Sequence, residues 1–414
     1  MTTFAFSRAV IGAVLVSGIT VSHADSITLD QAVRRAANRP AVAIAGTEVD
    51  AVRAEAAGAR RPIYNPELGV AIGPRFGGGQ TLLDAEVSLA QTIELGGKRD
   101  ARRAVADARV AAAGSNLVQA QLDAEFEVWR AFQLTLLARA RIDATREAEA
   151  LATQLVTASS DRQALGAGTQ LQINLATLEG GRARHDRLDA ENAYDAALAE
   201  LARVIGAAPD ERLEPVGELA TLPAAALDED ALVARALANR PDLDVARAGL
   251  RVARAEVRLA NAEATPNLTA SVSYGYEQDL DTDFHAVMAG LSISLPVRNR
   301  NQGARSAARA RVRGAELEQD RRTVDVEREV RVAIRAYARA REALLGFDRE
   351  INERLHDNLE LAHESFVAGK LDYFEFSVVR RDLVANRLAF LDAATEAVDA
   401  WSTVQRAVGK GDAP

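Results

Sequence analysis

The most constraining feature of this chain is a run of apolar residues spaced for one face of a very long helix. Val326, Val330, Ala333, Tyr337, Ala340, Leu344, Phe347, Ile351, Leu355, Leu359, Ala362 and Phe366 follow one another at steps of mostly four and three. That spacing belongs to a helix that buries one narrow seam. Arg, Glu and Asp fill the positions between, and no proline interrupts the run from Gly303 to Phe366. Roughly 60 helical residues would reach about 90 Å at ~1.5 Å per residue, beyond an ordinary globular helix. After Ala368-Gly369-Lys370 a second helical pattern returns from Phe374 to Val408. The chain therefore contains a long helical hairpin, and the rest of the sequence has to account for it.

Composition fits this reading. Aromatic residues make up only 5% of the 414, too few for a thick globular core. The formal net charge of −9 argues against a nucleic-acid binder. Arg alternates with Asp and Glu, as on solvated helix faces. Cysteine is absent, which excludes disulfides, thiolate metal sites, cysteine nucleophiles and a lipid-modified N-terminal cysteine. Residues 1–24 read as an export signal: Arg8, an apolar stretch from Ala9 to Val21, then Ser22-His23-Ala24 as a cleavage site. No later stretch is long and apolar enough for a transmembrane helix. The mature chain is expected to be exported, either soluble or inserted as a β-barrel.

The chain repeats itself at an offset of about 200 residues. Asn38-Arg39-Pro40 recurs as Asn239-Arg240-Pro241, and Pro66-Glu67-Leu68 as Pro266-Asn267-Leu268. Ala101-Arg102 recurs as Ala304-Arg305, and Ala167-Gly168-Thr169 as Ala368-Gly369-Lys370. This divides the chain into a signal at 1–24, a first repeat at 25–206, a connector at 207–228, a second repeat at 229–409 and a tail at 410–414. Each repeat predicts a short helix, a longer one (Ala41 to Arg61; Leu243 to Ala264), a β-hairpin and a long helical hairpin. The β-hairpins are expected at about 64–95 and 267–296, and the helical tips near 168 and 369. In the first repeat the long helix should run from Arg99 to about Ala164 and return from Leu171 to Val204.

The strands alternate with a period of two. Leu268, Ala270, Val272, Tyr274 and Tyr276 share one face, as do Val287, Ala289, Leu291, Ile293 and Leu295. In the first repeat Leu68, Val70 and Ile72 lead into an expected loop, Pro74 to Gly79, before Leu83, Ala85, Val87, Leu89, Gln91, Ile93 and Leu95. The other faces carry Ser, Thr and Gly, with Asp84, Glu86 and Glu94 in the first hairpin. Strands of about ten residues with one apolar face suit a membrane barrel with a wet lumen; a small soluble sheet packed on a helix is the alternative. Leu268, Val272, Tyr274, Tyr276, Leu291 and Ile293 would face lipid. Four strands cannot close a barrel, and open edges in hydrocarbon leave backbone groups unpaired. Several chains must then share one barrel, and three would give twelve strands.

Two segments after the strands carry a family likeness: Gln91-Thr-Ile-Glu-Leu-Gly-Gly-Lys-Arg99 and Leu295-Pro-Val-Arg-Asn-Arg-Asn-Gln-Gly303. With the duplicated tips and Asn-Arg-Pro elements, the mature chain resembles the TolC-like outer-membrane efflux proteins, closest to the CzcC-like heavy-metal cation branch. The resemblance implies a mainly α fold with a membrane β-barrel. Four strands per chain would join a trimeric twelve-stranded outer-membrane barrel, continued by a long periplasmic α-helical coiled-coil tunnel. It implies a homotrimer docked on a periplasmic adaptor (membrane fusion) protein, itself linked to an inner-membrane pump of the resistance-nodulation-division type. Many relatives carry a lipidated cysteine, so here the barrel alone is expected to anchor the chain.

The resemblance also suggests sites. Ala167, Gly168, Thr169, Ala368, Gly369 and Lys370 are turns at the far tips, where the adaptor would dock. Glu375 matches an acidic residue that narrows the tunnel mouth, and Asn174 stands at the expected place in the first copy. His356, Glu360, His363 and Glu364 share a helical face but lie beside the seam, and no metal site is assigned to them. Lys98, Arg99, Arg102 and Arg103, with Arg298, Arg300, Arg305 and Arg309, should lie where strand becomes helix, solvated or tuning solute passage. No catalytic constellation and no cofactor site is found, so the chain reads as a conduit and not an enzyme. Heavy-metal cations are the favoured cargo. Drugs, organic solutes or secreted proteins are the alternatives within the class, and a soluble periplasmic coiled-coil adaptor or structural protein is the alternative outside it.

Overall fold

A computed structural model describes residues 25–77, 80–279, 282–347 and 355–409. The expected signal at 1–24 and the tail at 410–414 lie outside them. The first run of elements is β1 (Asp25–Ile27), α1 (Leu29–Ala36), α2 (Pro40–Ala59), β2 (Glu67–Gly77), β3 (Gln80–Ile93), α3 (Lys98–Ala164) and α4 (Gln170–Ile205). After β4 (Leu213–Pro215) comes α5 (Glu229–Asn239), α6 (Pro241–Ala262), β5 (Leu268–Glu277), β6 (Phe284–Ile293), α7 (Gln302–Leu345), α8 (Leu355–Val367) and α9 (Tyr373–Val408). Helices α3 and α9 run 67 and 36 residues, the first about 100 Å at ~1.5 Å per residue.

The four longer strands form one antiparallel sheet in the order β2-β3-β5-β6. Beneath it α2 packs on α3, α3 on α6 and α6 on α7, a row in the same order as the strands that adjoin them. The helical hairpins hang from this row, α3 on α4 and α7 on α9, with α9 also against α3.

Two expectations about these elements are corrected. The helix expected from Gly303 to Phe366 is not one helix among the described residues. α7 ends at Leu345, capped by Gly346, whose N–H reaches the carbonyls of Glu342 and Ala343. α8 starts at Leu355; Ile351 lies outside the described residues. Glycine in a run of seam residues supplies no side chain to hold the next turn, a cost the apolar spacing does not register. The seam itself is buried on both sides of the break, at Val326, Val330, Ala333, Tyr337 and Ala340 and again at Leu359, Ala362 and Phe366. The second correction is in the first β-hairpin. Pro74-Arg75-Phe76-Gly77 is strand, paired with Leu83, Leu82, Thr81 and Gln80. β2 is an edge strand within the chain, where proline's missing N–H can face away from the ladder.

The Asn-Arg-Pro elements have a clear physical role. Pro40 and Pro241 occupy the first turn of α2 and α6, where a missing N–H costs nothing. The preceding arginine reaches from that helix start to the long helix. Arg39 meets Glu127 on α3 at 2.6 Å. Arg240, only 8% exposed at its side chain, meets Asp242 at 2.5 Å and Glu329 on α7 at 2.7 Å. It also donates to the carbonyl of Ala407 at 3.0 Å, and Arg322 adds a second cation to Asp242. The connector also gains an unforeseen strand. β4 pairs in parallel with β1, and both send an apolar side chain, Leu213 and Ile27, into the core around Phe132. Further on, Ala220 donates to Gln133 on α3, and Tyr337 on α7 donates to the carbonyl of Pro223. The connector is thus strapped across the long helices.

The turn from β3 into α3 is fixed by Gly96 and Gly97, both at positive φ (74° and 70°). A Cβ on Gly96 would lie 2.5 Å from Thr265 Oγ1, while one on Gly97 would meet nothing. In the second repeat Asn301, at φ 56°, takes the place of Gly97 as the left-handed N-cap, and its amide donates to the carbonyl of Ala260.

Burial pushes the Asp242 carboxyl up, but the hydrogen bond and charge of Arg240, helped by Arg322, more than offset this and hold it below the usual carboxylate range. A carboxyl lowered in the folded state contributes stability that is present above about pH 4 and lost as pH falls through its depressed value. Asp242→Asn should therefore lower stability by about 3 kcal/mol at neutral pH, since a buried guanidinium loses a partner. It should also flatten the acid limb of a thermal-unfolding series in detergent. Gly96→Ala should cost about 2 kcal/mol, more than Gly97→Ala, in the same assay.

Candidate functional site: an exposed apolar sheet face and a locked helical tip

The register places every expected lipid-facing residue on one side of the sheet. Leu268 stands opposite Ile293, Val272 opposite Ala289, Tyr274 opposite Val287, and Ala270 opposite Leu291. Across the central pairing, Leu89 faces Val272 and Val87 faces Tyr274, and beyond them stand Leu68 and Val70. Tyr276 belongs to the same side, opposite His285 and Ala85. On this side of the strands there is no Asp, Glu, Lys or Arg. Its large side chains are exposed, Leu291 at 77% and Ile72 at 71%. A contiguous apolar face of this size is foreign to a surface in water. At the rim away from the helices Tyr274 Oη lies 2.6 Å from His285 Nδ1, and Tyr276 donates to Asp283 at 2.8 Å. Amphipathic rings at that level suit a membrane–water boundary.

The opposite side is polar and crowded. It carries Thr92, Thr269, Ser271, Ser273, Ser88 and Ser292 with Asp84 and Glu86. A Cβ on Gly69 would lie 2.6 Å from Ser88 Oγ, and one on Gly290 2.9 Å from Ser271 Oγ. Arg75 reaches Asp84 at 3.3 Å. Glu94, expected on this side, lies beyond the end of β3. There it forms a two-armed pair with Arg102 at 2.5 and 2.9 Å, which holds its carboxyl below the ordinary range. Three other cations of this junction are also engaged. Lys98 donates to Asn267, Arg99 to the carbonyl of Arg60, and Arg305 to Asn261. Lys98 ties the start of α3 to the start of β5, while Arg99 and Arg305 tie neighbouring helices, α3 to α2 and α7 to α6.

The helical tips correct the register of the repeat. The left-handed residue in the first tip is Gly166 (φ 75°), not Gly168, and in the second it is Gly369 (φ 72°). Thr169 caps α4 through Gln172, and Asp372 caps α9 through Glu375, each a reciprocal capping box. Gly166 therefore matches Gly369, Thr169 matches Asp372, and Gln172 matches Glu375. Asn174 is not the counterpart of Glu375. The short motif Ala-Gly matched two residues out of phase because the first tip has glycine at both 166 and 168. Ala167 and Gly168 lie inside the first turn, while Ala368 and Lys370 flank Gly369 in the second. The Glu375 carboxylate accepts the Asp372 N–H at 2.9 Å while remaining exposed.

Just above the tips the two hairpins are tied together by residues the sequence reading missed. Glu179 on α4 accepts from Ser377 at 2.5 Å and from Arg380, both on α9. Arg380 is only 8% exposed at its side chain. Phe366 and Phe376 stack at 5.1 Å among Leu155, Ala176, Ala362 and Tyr373. Burial, with Glu179 adding and Arg380 opposing, pushes the Tyr373 hydroxyl up to about 12. The signal available was an arginine in an apolar row, Tyr373, Phe376, Arg380. Of the histidine-carboxylate group, His363 packs edge-on against Phe376 at 6.1 Å. Nothing is described of the His356 side chain. Among the described residues no group of three or more His, Cys, Asp or Glu could hold a metal ion.

Known proteins share this architecture. The model of the family "Outer membrane efflux protein" matches residues 33–207 and 232–410, once for each run of elements. The cobalt-zinc-cadmium resistance protein CzcC of Cupriavidus metallidurans is 26% identical over 353 residues, covering 84% of this chain and 82% of that protein. A membrane protein from Pseudomonas aeruginosa superposes with a TM-score of 0.73 at 21% identity, over 92% of this chain and 93% of that one. CusC, described in connection with transmembrane channel formation, superposes with a TM-score of 0.72 at 18% identity, over 92% of both chains. An exposed uncharged sheet face, a helix of about 100 Å at ~1.5 Å per residue and two matched halves thus coincide: the chain belongs to the outer membrane efflux protein family, as a channel of the outer membrane and not an enzyme.

Proposed function

We propose that three copies of this chain form the outer-membrane exit duct of a tripartite efflux assembly that exports heavy-metal cations. The observation that carries this reading is the four-stranded sheet with an exposed uncharged face and unpaired outer edges at β2 and β6. In hydrocarbon those edges would leave backbone groups unpaired at several kcal/mol each. β2 and β6 run in opposite senses, so β6 of one copy can continue antiparallel into β2 of the next. Three copies give twelve strands. Residues 1–24 would direct export. The helices would cross the periplasm as a tunnel, its tips at 166–169 and 368–370 docking on an adaptor protein, itself joined to an inner-membrane pump of the resistance-nodulation-division type.

Metal cations are favoured as cargo for two reasons. The curated relative is named for cobalt, zinc and cadmium resistance. The polar side of the sheet, which would line the lumen, carries Glu67, Asp84, Glu86 and Glu277 against Arg75 among its Ser and Thr, and rings of carboxylate favour cations in a pore. Glu375 would add one carboxylate per chain, at the second tip, beside its capping role.

Deleting the protein from a host without a redundant channel should sensitise it to cobalt, zinc or cadmium more than to common drugs. Unchanged metal tolerance with raised drug sensitivity would remove the metal reading. In planar bilayers the channel should prefer potassium over chloride, and Asp84→Asn with Glu86→Gln should shift the reversal potential toward non-selectivity. At the tip, Glu375→Gln keeps the cap, as Gln172 does in the first copy. It should leave thermal stability within about 0.5 kcal/mol while changing conductance. Glu375→Ala should lower stability by about 1 kcal/mol as well. If Glu375→Gln leaves conductance unaltered, the residue is a cap alone.

A further inference from the structure

On the reading above, in which the polar side of the sheet lines the lumen, we infer that Arg75 is a tethered counter-ion that keeps the channel exit from trapping passing cations. It sets how tightly cations are held at the exit, separately from how strongly the lumen attracts them.

The register assigns each lumen-side residue to a level. At the end of the sheet away from the helices, one row is Gly73, Asp84, Glu277 and Phe284. The next row inward is Ala71, Glu86, Gly275 and Ala286, and the one after it, Gly69, Ser88, Ser273 and Met288, has no charge. Asp84 and Glu277 therefore stand directly opposite on neighbouring antiparallel strands. Side chains so placed approach to about 5 Å, and like charges there repel. Three copies would set six such carboxylates, two from each, around one level. Carboxylates with a carbonyl beside them form the oxygen-donor set that divalent cations take. A row of that kind at the exit would hold cargo back, whereas conduction needs binding weak enough for the ion to leave.

Arg75 supplies a cation of the chain's own at that level. It is the one Lys or Arg in the four strands of the sheet. Its Nε lies 3.3 Å from Asp84 Oδ2, and its Nη2 donates to the carbonyl of Gln278, next to Glu277, at 2.8 Å. The guanidinium thus links β2, β3 and the residue that follows β5. Gln278 is itself fixed, since its N–H donates to the Leu83 carbonyl and its Oε1 accepts the Leu83 N–H. Asp84 Oδ1 is buried without a hydrogen-bond partner among the described residues, so the carboxylate depends on Arg75 for its counter-charge. Space for an ion is open beside the row: a Cβ on Gly73 or Gly275 would meet nothing within 4 Å. Glu86, flanked by Ala71 and Gly275, pairs with no cation among the described residues and stays available to attract ions. Attraction then rests on Glu86, and Arg75 weakens retention at the Asp84–Glu277 row.

Channels in planar bilayers test this with cobalt chloride added on the exit side. Arg75→Gln should be blocked at a cobalt concentration about tenfold or more below that needed for the unaltered channel. Arg75→Lys keeps the cation and should stay within about threefold of the unaltered channel. Adding Asp84→Asn to Arg75→Gln should restore resistance. Arg75→Gln channels that conduct and resist cobalt like the unaltered protein overturn the inference. So does equal block of Arg75→Lys, or a block that Asp84→Asn leaves in place. Glu86→Gln alone keeps two failures apart. A shifted reversal potential upholds the lumen reading even when the cobalt result is negative, and an unshifted one removes both. Should Arg75→Gln not assemble, refolding in detergent with cobalt present should restore the trimer, read by light scattering. Failure to do so overturns the counter-ion role.

Discussion

Backbone hydrogen bonding in hydrocarbon is the constraint on which the rest of this molecule depends. A sheet whose outer face is apolar and uncharged can sit in a membrane, but only if its edges are closed. Four strands in the order β2-β3-β5-β6 leave two edges open. The chain cannot satisfy them alone, because its other two strands, β1 and β4, pair with each other far from the sheet. The fold is therefore one segment of a ring, and the antiparallel sense of β2 and β6 makes identical copies sufficient to close it.

The helices answer a second demand, that a duct of about 100 Å stay aligned under its barrel. Its wall is thin, so packing alone has little area to work with. Alanine and valine seams bring the helices close, and charged struts fix their levels. The strut at Arg240 is nearly buried, binds two carboxylates and a carbonyl, and sits where the short helix, the long helix and the end of α9 meet. Its counterpart at Arg39 has a single carboxylate and is more exposed. Position 41 is alanine where position 242 is aspartate, so the two halves share a plan but not the strength of its fastening. At the far end the Glu179–Arg380 pair does a similar task between hairpins.

Much of this was legible in the sequence because it follows from periodicity. Period-two alternation in Leu268 to Tyr276 put every apolar side chain on one face, and the register keeps them there. The repeat was visible through prolines and glycines, which mark ends. What misled was local identity without geometry. Ala-Gly at 167–168 looked like Ala-Gly at 368–369, yet the φ angles pair Gly166 with Gly369. Pro74 looked like a loop, yet it sits on an edge strand that tolerates it. Glu94 looked like a lumen carboxylate, yet it lies past the strand and is held by Arg102.

The sequence by itself determined most of the elements, their doubling, the apolar side of the sheet and the length of α3, since each depends on spacing along the chain. Only the tertiary structure decided which distant residues meet. Glu179 finds Arg380, Arg240 finds Glu329, and β3 finds β5 across 175 or more residues. Charge pairs and strand partners are set by the order in which helices and strands lie side by side, and spacing within one element carries no record of that order.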